Sequence, residues 1–456
     1  MDIKSIFDSP LQFADQEIFL NGWVRTTRKQ KQFGFIECND GTTFKNLQLI
    51  YDESIPNFNE AVHLTVGSSI QVNGKLILTP EGKQPFEVRV SSLVVEGKAP
   101  ADYPLQKKRH TFEYLRTQAH LRPRTNTFSA VFRTRSVLAY TVHRFFQERG
   151  FIYTNTPVIT SSDAEGAGEM FRLVTDEAWN EGIKGNTPDE FFGKPAHLSV
   201  SGQLGTEAYA LAFKKVYTFG PTFRAENSNT TRHASEFWMI EPEVSFGDID
   251  DIISLSEDFI KYVIKSALTE LPDEMNFFNE RIEKGLVERL EHVLNTPFVR
   301  MTYTDAVNAL IKSEHRFEMP VEWGMDLQSE HERFLTEELI KAPLFVTDYP
   351  KDIKAFYMRV NDDGKTVAAV DMLVPHIGEI IGGSQREERE DMLAYRMKEL
   401  GMSTSAYQWY LDLRRFGGAK HAGFGVGFER LLMFVTGMTN IRDVIPFPRT
   451  PGNIMF

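Results

Sequence analysis

The chain has 456 residues, enough for two to three domains, and its 41% apolar and 25% charged residues are those of an ordinary globular protein. A formal net charge of −12 argues against a generic DNA-coating protein but leaves room for a local basic surface; a single cysteine, Cys38, excludes an internal disulfide framework and a cysteine-based metal site. No apolar run reaches membrane-spanning length, and Met1-Asp-Ile-Lys-Ser5 lacks the apolar core of a signal peptide, so a reducing cytosol is the expected compartment.

Residues 17–96 read as five short strands, 17–26, 33–39, 43–51, 69–77 and 86–95, with a helical stretch at 57–64 after the third. Turn signals at Asn39-Asp-Gly41 and Pro80-Glu-Gly82 separate them. Five strands in this order predict an OB-fold, which binds single-stranded nucleic acid on strands 2 and 3 and the adjoining loops. The first loop is basic, Arg25 to Lys31, and Phe33 and Phe35 follow at period two. Cations for phosphates beside rings for unstacked bases suit single-stranded RNA. The competing reading makes the rings barrel core and the basic run a solvated loop.

Residues 97–123 read as a linker with Pro100, Pro104 and Pro123 and a basic patch, Lys107 to His110. An amphipathic helix follows over 126–149 and ends at Gly150; an extended run then stops at Pro157. This unit reads either as a dimer surface or as plain helix-on-sheet packing. Glu165-Gly-Ala-Gly-Glu169 lies in a small-residue loop that lets backbone approach a ligand, and 172–196 reads as a polar surface insertion. Residues 198–213 read as a strand turning into a helix.

The next segment, 216–243, reads as strand, polar loop, strand. Arg224, Glu226, Arg232 and His233 project from it, an arrangement suited to a triphosphate, with Arg224 as a planar fork for one phosphate and Arg232 for another. Taken alone, the Arg-x-Glu pair reads first as a cross-strand ion pair, and only its flanking motifs turn it toward a ligand. Glu241 and Glu243 stand two apart and so share a face; carboxylates on an apolar strand need partners, a ligand amine or amide among the candidates.

Residues 249–340 read as a mostly helical peripheral insertion. Strand returns at 344–347, a hairpin is expected from 356–360 and 366–374 across Asp362-Asp-Gly364, and 378–386 forms another strand-to-helix corner. Gly423-Phe-Gly-Val-Gly427-Phe-Glu-Arg430 is a glycine-rich strand opening a helix. It lacks the Lys-Ser/Thr of a P-loop, and no β-α-β unit opens the domain. Alone it reads as well as close strand–helix packing. Antiparallel strands with helices grouped apart argue α+β, with domains at 1–100 and 124–456 joined by a linker at 101–123.

Three pieces appear together and in order: the helix and strand ending in Pro157, the Phe223-Arg-Ala-Glu226 hairpin and the Gly423–Arg430 corner. They resemble motifs 1, 2 and 3 of class II aminoacyl-tRNA synthetases, and the N-terminal OB-fold resembles the anticodon-binding domain of the aspartyl, asparaginyl and lysyl subclass. Glu165-Gly-Ala-Gly-Glu169, Ser201-Gly-Gln-Leu204, Phe237 to Glu243 and Gly382-Gly-Ser-Gln-Arg386 are most similar to the asparaginyl branch. The resemblance implies a catalytic domain built on an antiparallel sheet flanked by helices, a homodimer, and ATP, L-asparagine and the tRNA for asparagine as partners.

For ATP the resemblance implies Arg224 on the α-phosphate, Glu226 on the adenine amino group, Arg232 and His233 on the outer phosphates, Arg430 on the γ-phosphate, Phe237 stacked on adenine, and Gly427 among the glycines that let the nucleotide meet backbone. Asp371 and Glu379 resemble the carboxylates that hold Mg²⁺ on the phosphates. For the amino acid it implies Glu165 on the ammonium, Ser201 and Gln203 on the amino and carboxylate ends, Arg386 on the side-chain carbonyl and Glu241 on the side-chain NH₂. Aspartyl enzymes usually carry a lysine shortly after the Ser-x-Gln turn; Thr206 stands near that place here, a departure that favours asparagine. In the barrel, Phe35 resembles the ring that stacks the middle anticodon base, Gln48 the reader of that base, Glu87 the acid facing the first base, and Arg25 a backbone or base contact.

Overall fold

The computed structural model describes residues 1–82, 84–164, 169–183 and 191–456, which form two compact units, Met1–Ala130 and Val131–Phe456. In the first, apolar residues at every second position of β1 (Glu17–Lys29), β2 (Phe33–Asn39), β3 (Leu47–Asp52), β4 (Ser69–Leu78) and β5 (Phe86–Gly97) turn inward. The five strands close into a barrel in the order β1-β2-β3-β5-β4, with a helix, Phe58–Val62, between β3 and β4. β1 serves two neighbours: its first half pairs with β4 and its second with β2, and a bulge between Val24 and Thr26 supplies the bend. Gly74 marks a second bend, where β4 shifts register against β5. A Cβ there would lie 2.4 Å from the Arg89 carbonyl oxygen.

Three local expectations change. β1 continues to Lys29, so most of the basic stretch is strand rather than loop, and Arg28 lies directly across from Phe35. β3 begins at Leu47, not 43, because Asn39 Nδ2 donates to the carbonyls of Thr43 and Lys45 and holds that segment as a loop. Phe33 and Phe35 face outward, edge to face at 5.5 Å, while Ile36 and Cys38 fill the core. An N-terminal helix, Ile3–Asp8, was not anticipated; it buries Ile3 and Ile6 in the barrel core, and Phe7 packs edge-on against Phe86.

The second unit carries β6 (Ile152–Tyr153), β7 (Ile159–Thr160), β8 (Arg172–Leu173), β9 (Ala196–Leu198), β10 (Lys215–Phe223), β11 (Glu236–Ser245), β12 (Val299–Thr302), β13 (Leu344–Pro350), β14 (Thr366–Val374), β15 (Gly378–Gln385) and β16 (His421–Gly427). Eight form one sheet in the order β12-β13-β14-β15-β16-β11-β10-β6, antiparallel except at its two ends; β7, β9 and β8 form a small separate sheet. The Asn126–Glu148 helix buries Leu138, Val142, Phe145 and Phe146, with Phe146 stacked on Tyr217 of β10 at 4.8 Å and Phe145 edge-on to Phe259. Gly150 follows it with φ +76°, the left-handed stop expected of it.

Segment 249–340 is largely helical, but part of it belongs to the core. The Ile249–Glu270 helix starts at an Asp248/Asp251 capping box and buries Phe259, Ile260, Val263 and Ile264 beneath the sheet. β12 extends the sheet parallel to β13. In that helix the acids Asp250, Asp251 and Asp258 are exposed on the opposite face. The expected 356–360 strand is reduced to isolated bridges, Met358 to Arg386 and Val360 to Val367, which tie that arm to two different strands.

Candidate active site

The β10–β11 hairpin sets the geometry. Phe223 pairs with Glu236 and Thr218 with Glu241, and the Arg224 amide donates to the Ser235 carbonyl at 3.0 Å, pinching the base of the 224–235 loop. The loop, β15, β16 and the Phe428–Thr436 helix surround one cleft. Arg224, Glu226, Arg232, His233, Phe237, Glu379, Gly427 and Arg430 all line it. Eight residues spread over more than 200 positions of chain thus meet in one place. The Arg224 guanidinium sits 5.3 Å from the Phe237 ring centre. Arg430 Nη1 pairs with Glu379 Oε2 at 3.2 Å and also donates to the Glu379 carbonyl. Arg232 Nη1 donates to Ser329 Oγ at 2.6 Å; burial, and then Arg430, pull its pKa down. Burial also lowers His233, so its ring is neutral at neutral pH.

Asp371 on β14 and Glu379 on β15 come together over Gly382. A Cβ at Gly382 would lie 3.1 Å from Glu379 Oε1 and 3.4 Å from Asp371 Oδ1, so glycine keeps the space between the carboxylates open. Burial raises Asp371; for Glu379 burial is outweighed by Arg430 and Lys354, which lower it. Three residues that sequence reasoning missed complete this cluster. Lys354 Nζ pairs with Asp371 Oδ2 at 2.8 Å and lies 3.9 Å from the Tyr349 ring centre. Glu332 Oε2 accepts from the Glu379 amide at 3.0 Å, and burial, with Glu379 and Asp371 nearby, pushes its carboxyl up to about 7. Among the described residues no group of three or more metal-ligating side chains is disposed to hold a cation by itself.

The neighbouring pocket is built from β9's exit, the Gln203–Phe213 helix, β11 and β15. Ser201 Oγ donates to Glu241 Oε1, and the Gly202 amide donates to Oε2 at 3.0 Å. Burial raises Glu241; these two donors, Arg224 and Arg386 oppose it. Arg386 is almost fully buried. Its Nε and Nη2 both donate to Glu243, and Nη1 donates to Ser384 Oγ at 2.8 Å. Glu243's partner is therefore an arginine of the same chain. Gln203 Nε2 donates to Glu207 Oε1 at 3.0 Å, and Thr206 Oγ1 donates to the Gly202 carbonyl. Glu207 was also missed; its one sequence signal is a lone acid in an otherwise apolar helix. Glu165 lies outside the described residues.

On the barrel, Phe35, Gln48 and Glu87 all face outward on adjoining strands, and Gln48 Nε2 donates to Glu87 Oε2 at 3.2 Å. Arg25 does not join them. Its guanidinium donates to the Arg124 carbonyl and to Asn126 Oδ1.

Comparison with known proteins agrees with this architecture. Residues 112–451 match the family described as tRNA synthetases class II (D, K and N), and residues 18–96 match the OB-fold nucleic acid binding domain. The whole chain is 60% identical to an asparagine–tRNA ligase of Bacillus cytotoxicus over 99% of that protein, and equally to one from Clostridium beijerinckii. The structure of asparaginyl-tRNA synthetase from Pyrococcus horikoshii complexed with asparaginyl-adenylate superimposes with a TM-score of 0.86 at 33% identity, covering 97% of each chain. With its barrel, its three-motif sheet and full-length identity of this order, the chain belongs to the asparagine–tRNA ligases of the class II tRNA synthetases.

Proposed function

We propose that this chain activates L-asparagine with ATP and passes the asparaginyl group to the 3′ end of the tRNA for asparagine, with the roles assigned to the residues below. One observation carries the residue-level reading: eight residues proposed for the nucleotide line a single cleft beside the Ser201–Glu241–Arg386 pocket. In the first step a carboxylate oxygen of asparagine attacks the α-phosphorus; the bond to the bridging oxygen breaks, and pyrophosphate leaves with the electron pair. In the second, the terminal tRNA hydroxyl attacks the acyl carbon, loses its proton, and AMP leaves. No protein nucleophile is needed, so catalysis rests on positioning and charge neutralisation.

Arg224 holds the α-phosphate and neutralises charge that grows there. Arg232, His233 and Arg430 take the outer phosphates. Glu226 accepts from the adenine amino group, Phe237 stacks on the base, and Gly427 lets the nucleotide lie against backbone. Glu165 and Ser201 hold the ammonium of the amino acid and Gln203 its carboxylate end. Arg386 donates to the side-chain carbonyl and Glu241 accepts from the side-chain NH₂.

Asp371 and Glu379 would hold Mg²⁺. Their hard oxygen donors and the gap over Gly382 fit that ion, with the remaining ligands supplied by phosphate oxygens and water. Bound there, Mg²⁺ would screen the phosphate charge. Phe35, Gln48 and Glu87 form the anticodon surface, and Arg25, bound to Arg124 and Asn126, is left out of it. A homodimer through the Asn126–Glu148 helix and β6 is supported by the position of β6 at the sheet's end, where Ile152 and Tyr153 are 45% and 40% exposed. A cytoplasmic location is supported by the single buried thiol and by the absence, among the described residues, of any helix long and apolar enough to cross a membrane.

The deciding experiment is amino-acid-dependent pyrophosphate exchange with asparagine and aspartate side by side. Exchange with asparagine is expected; exchange with aspartate alone would overturn the reading.

A further inference from the structure

Behind the amino-acid pocket lies a buried polar cluster for which the reaction steps have no direct use. Its centre is Glu207, fully buried. Gln203 Nε2 donates to its Oε1 at 3.0 Å, Arg414 Nη2 to Oε2 at 2.9 Å, and Tyr410 Oη to the carboxylate at 2.7 Å; His421 Nε2 lies 2.9 Å from Oε2. These partners come from the Gln203–Phe213 helix, the Gln408–Arg415 helix and the first residue of β16. A buried carboxylate so heavily partnered stays ionised: burial would raise its pKa, but Arg414, His421 and Arg386 together hold it well below the usual range.

Glu207 Oε1 is also 3.9 Å from Arg386 Nε, on the flank of a guanidinium already bound in bidentate fashion by Glu243. Arg386 has five N–H groups, and its bonds to Glu243 and Ser384 engage three. One N–H on each terminal nitrogen remains to meet a side-chain oxygen. Glu207 and Glu243 together balance Arg386 and Arg414, so the buried cluster carries no net positive charge. A neutral amide needs only the donors. A carboxylate also needs net positive charge to repay its desolvation, and here it finds none.

We propose that Glu207 is a specificity-setting residue: beside the Glu243 that holds Arg386, it balances the positive charge of the Arg386–Arg414 cluster, so that the pocket accepts a neutral side-chain amide and rejects a side-chain carboxylate. This rests on the assignment of Arg386 to the amino-acid side chain.

The test is pyrophosphate exchange with asparagine and aspartate in Glu207→Gln, which keeps the shape and removes the charge, and in Glu207→Asp, which keeps the charge. In Glu207→Gln the ratio of kcat/KM for asparagine over aspartate should fall by roughly tenfold or more, with aspartate gaining and the KM for ATP unmoved. In Glu207→Asp most of the discrimination should return. An unchanged ratio in Glu207→Gln overturns the proposal, and so does an equal loss in both variants, which would mean packing rather than charge. Should Glu207→Gln fail to fold, Arg414→Met, which removes the cation competing for Glu207 and leaves the cluster with net negative charge, should raise the same ratio, and an unchanged ratio there also overturns the proposal. A wild-type enzyme that fails to activate asparagine would instead overturn the underlying reading.

Discussion

Glu241, buried between the Ser201 hydroxyl and the Gly202 amide, keeps its carboxylate aimed by two donors while it faces the pocket. Replacing it by glutamine keeps one acceptor oxygen, for the Gly202 amide, turns its NH₂ toward the Ser201 hydroxyl, which can accept, and removes the charge. Glu241→Gln should therefore weaken discrimination against aspartate by roughly tenfold in pyrophosphate exchange; unchanged kinetics for both amino acids would remove Glu241 from side-chain recognition. Arg430 lines the cleft and pairs with Glu379 at partial exposure. Arg430→Ala should slow amino-acid activation by about a hundredfold or more, by analogy with other lost transition-state donors, while tRNA binding measured on filters stays near wild type. A normal activation rate would exclude the phosphate role.

Acidity should act on the same pocket through Glu243. Burial pushes its carboxyl from the ordinary 4.5 up to about 7, against the pull of Arg386 and with Glu207 adding to the rise. Because the folded-state value is the higher one, the folded protein holds this proton more tightly than the unfolded chain. The resulting stabilisation is complete below 4.5 and is lost as pH rises through about 7. For specificity the sign is opposite. As pH falls through about 7 Glu243 becomes neutral, Arg386 recovers net charge, and aspartate should be rejected less well. Exchange rates for both amino acids between about pH 8 and pH 6 would show the ratio declining; a flat ratio would mean that Glu243 does not control the pocket's charge.

At the level of elements, the outer face of β2, β3 and β5 presents Phe35, Gln48 and Glu87 together, because strand alternation sends Ile36, Leu47 and Val88 inward. A stacked base is worth about 1–3 kcal/mol, so Phe35→Ala should raise the KM for tRNA by roughly five- to a hundredfold and leave tRNA-independent exchange untouched. An unaltered aminoacylation KM would place the anticodon elsewhere. The sheet of the second unit shows how close packing shapes a site. At Gly423 a Cβ would fall 2.3 Å from the Glu243 carboxylate and 2.4 Å from the Pro242 carbonyl. The glycine of β16 lets β11 approach closely enough for Glu243 to reach Arg386 from beneath.

Considering the molecule as a whole, β6 ends the large sheet and among the described residues pairs with β10 alone, with Ile152 and Tyr153 exposed. An apolar sheet edge left open invites pairing with a second copy. Sedimentation should give twice the chain mass for the wild type and a shift toward monomer for Ile152→Asp. A wild-type monomer at micromolar concentration would remove the dimer.

The three motifs, the OB-fold and the residues that line the cleft were legible in the sequence because each is written locally: alternation marks a strand, a turn dipeptide marks its end, and charged residues beside glycine mark a loop that can bind. Gly427 and Arg430 sit within four residues of each other, and Arg224 to Phe237 within fourteen, so a motif read on the page maps onto one wall of the cleft. What the sequence could not decide was the partner of each buried charge. Glu243 read as a carboxylate in need of a partner and found Arg386, 143 residues away; Glu207 read as nothing and became the centre of a network reaching 214 residues downstream to His421. Lys354, 17 residues before Asp371, and Glu332, 47 before Glu379, likewise carried no local sign of their roles. Periodicity and turn chemistry act over a few residues and are fixed by the sequence itself. The pairing of buried ions depends on which strands the sheet brings side by side, and that was decided only when the chain folded.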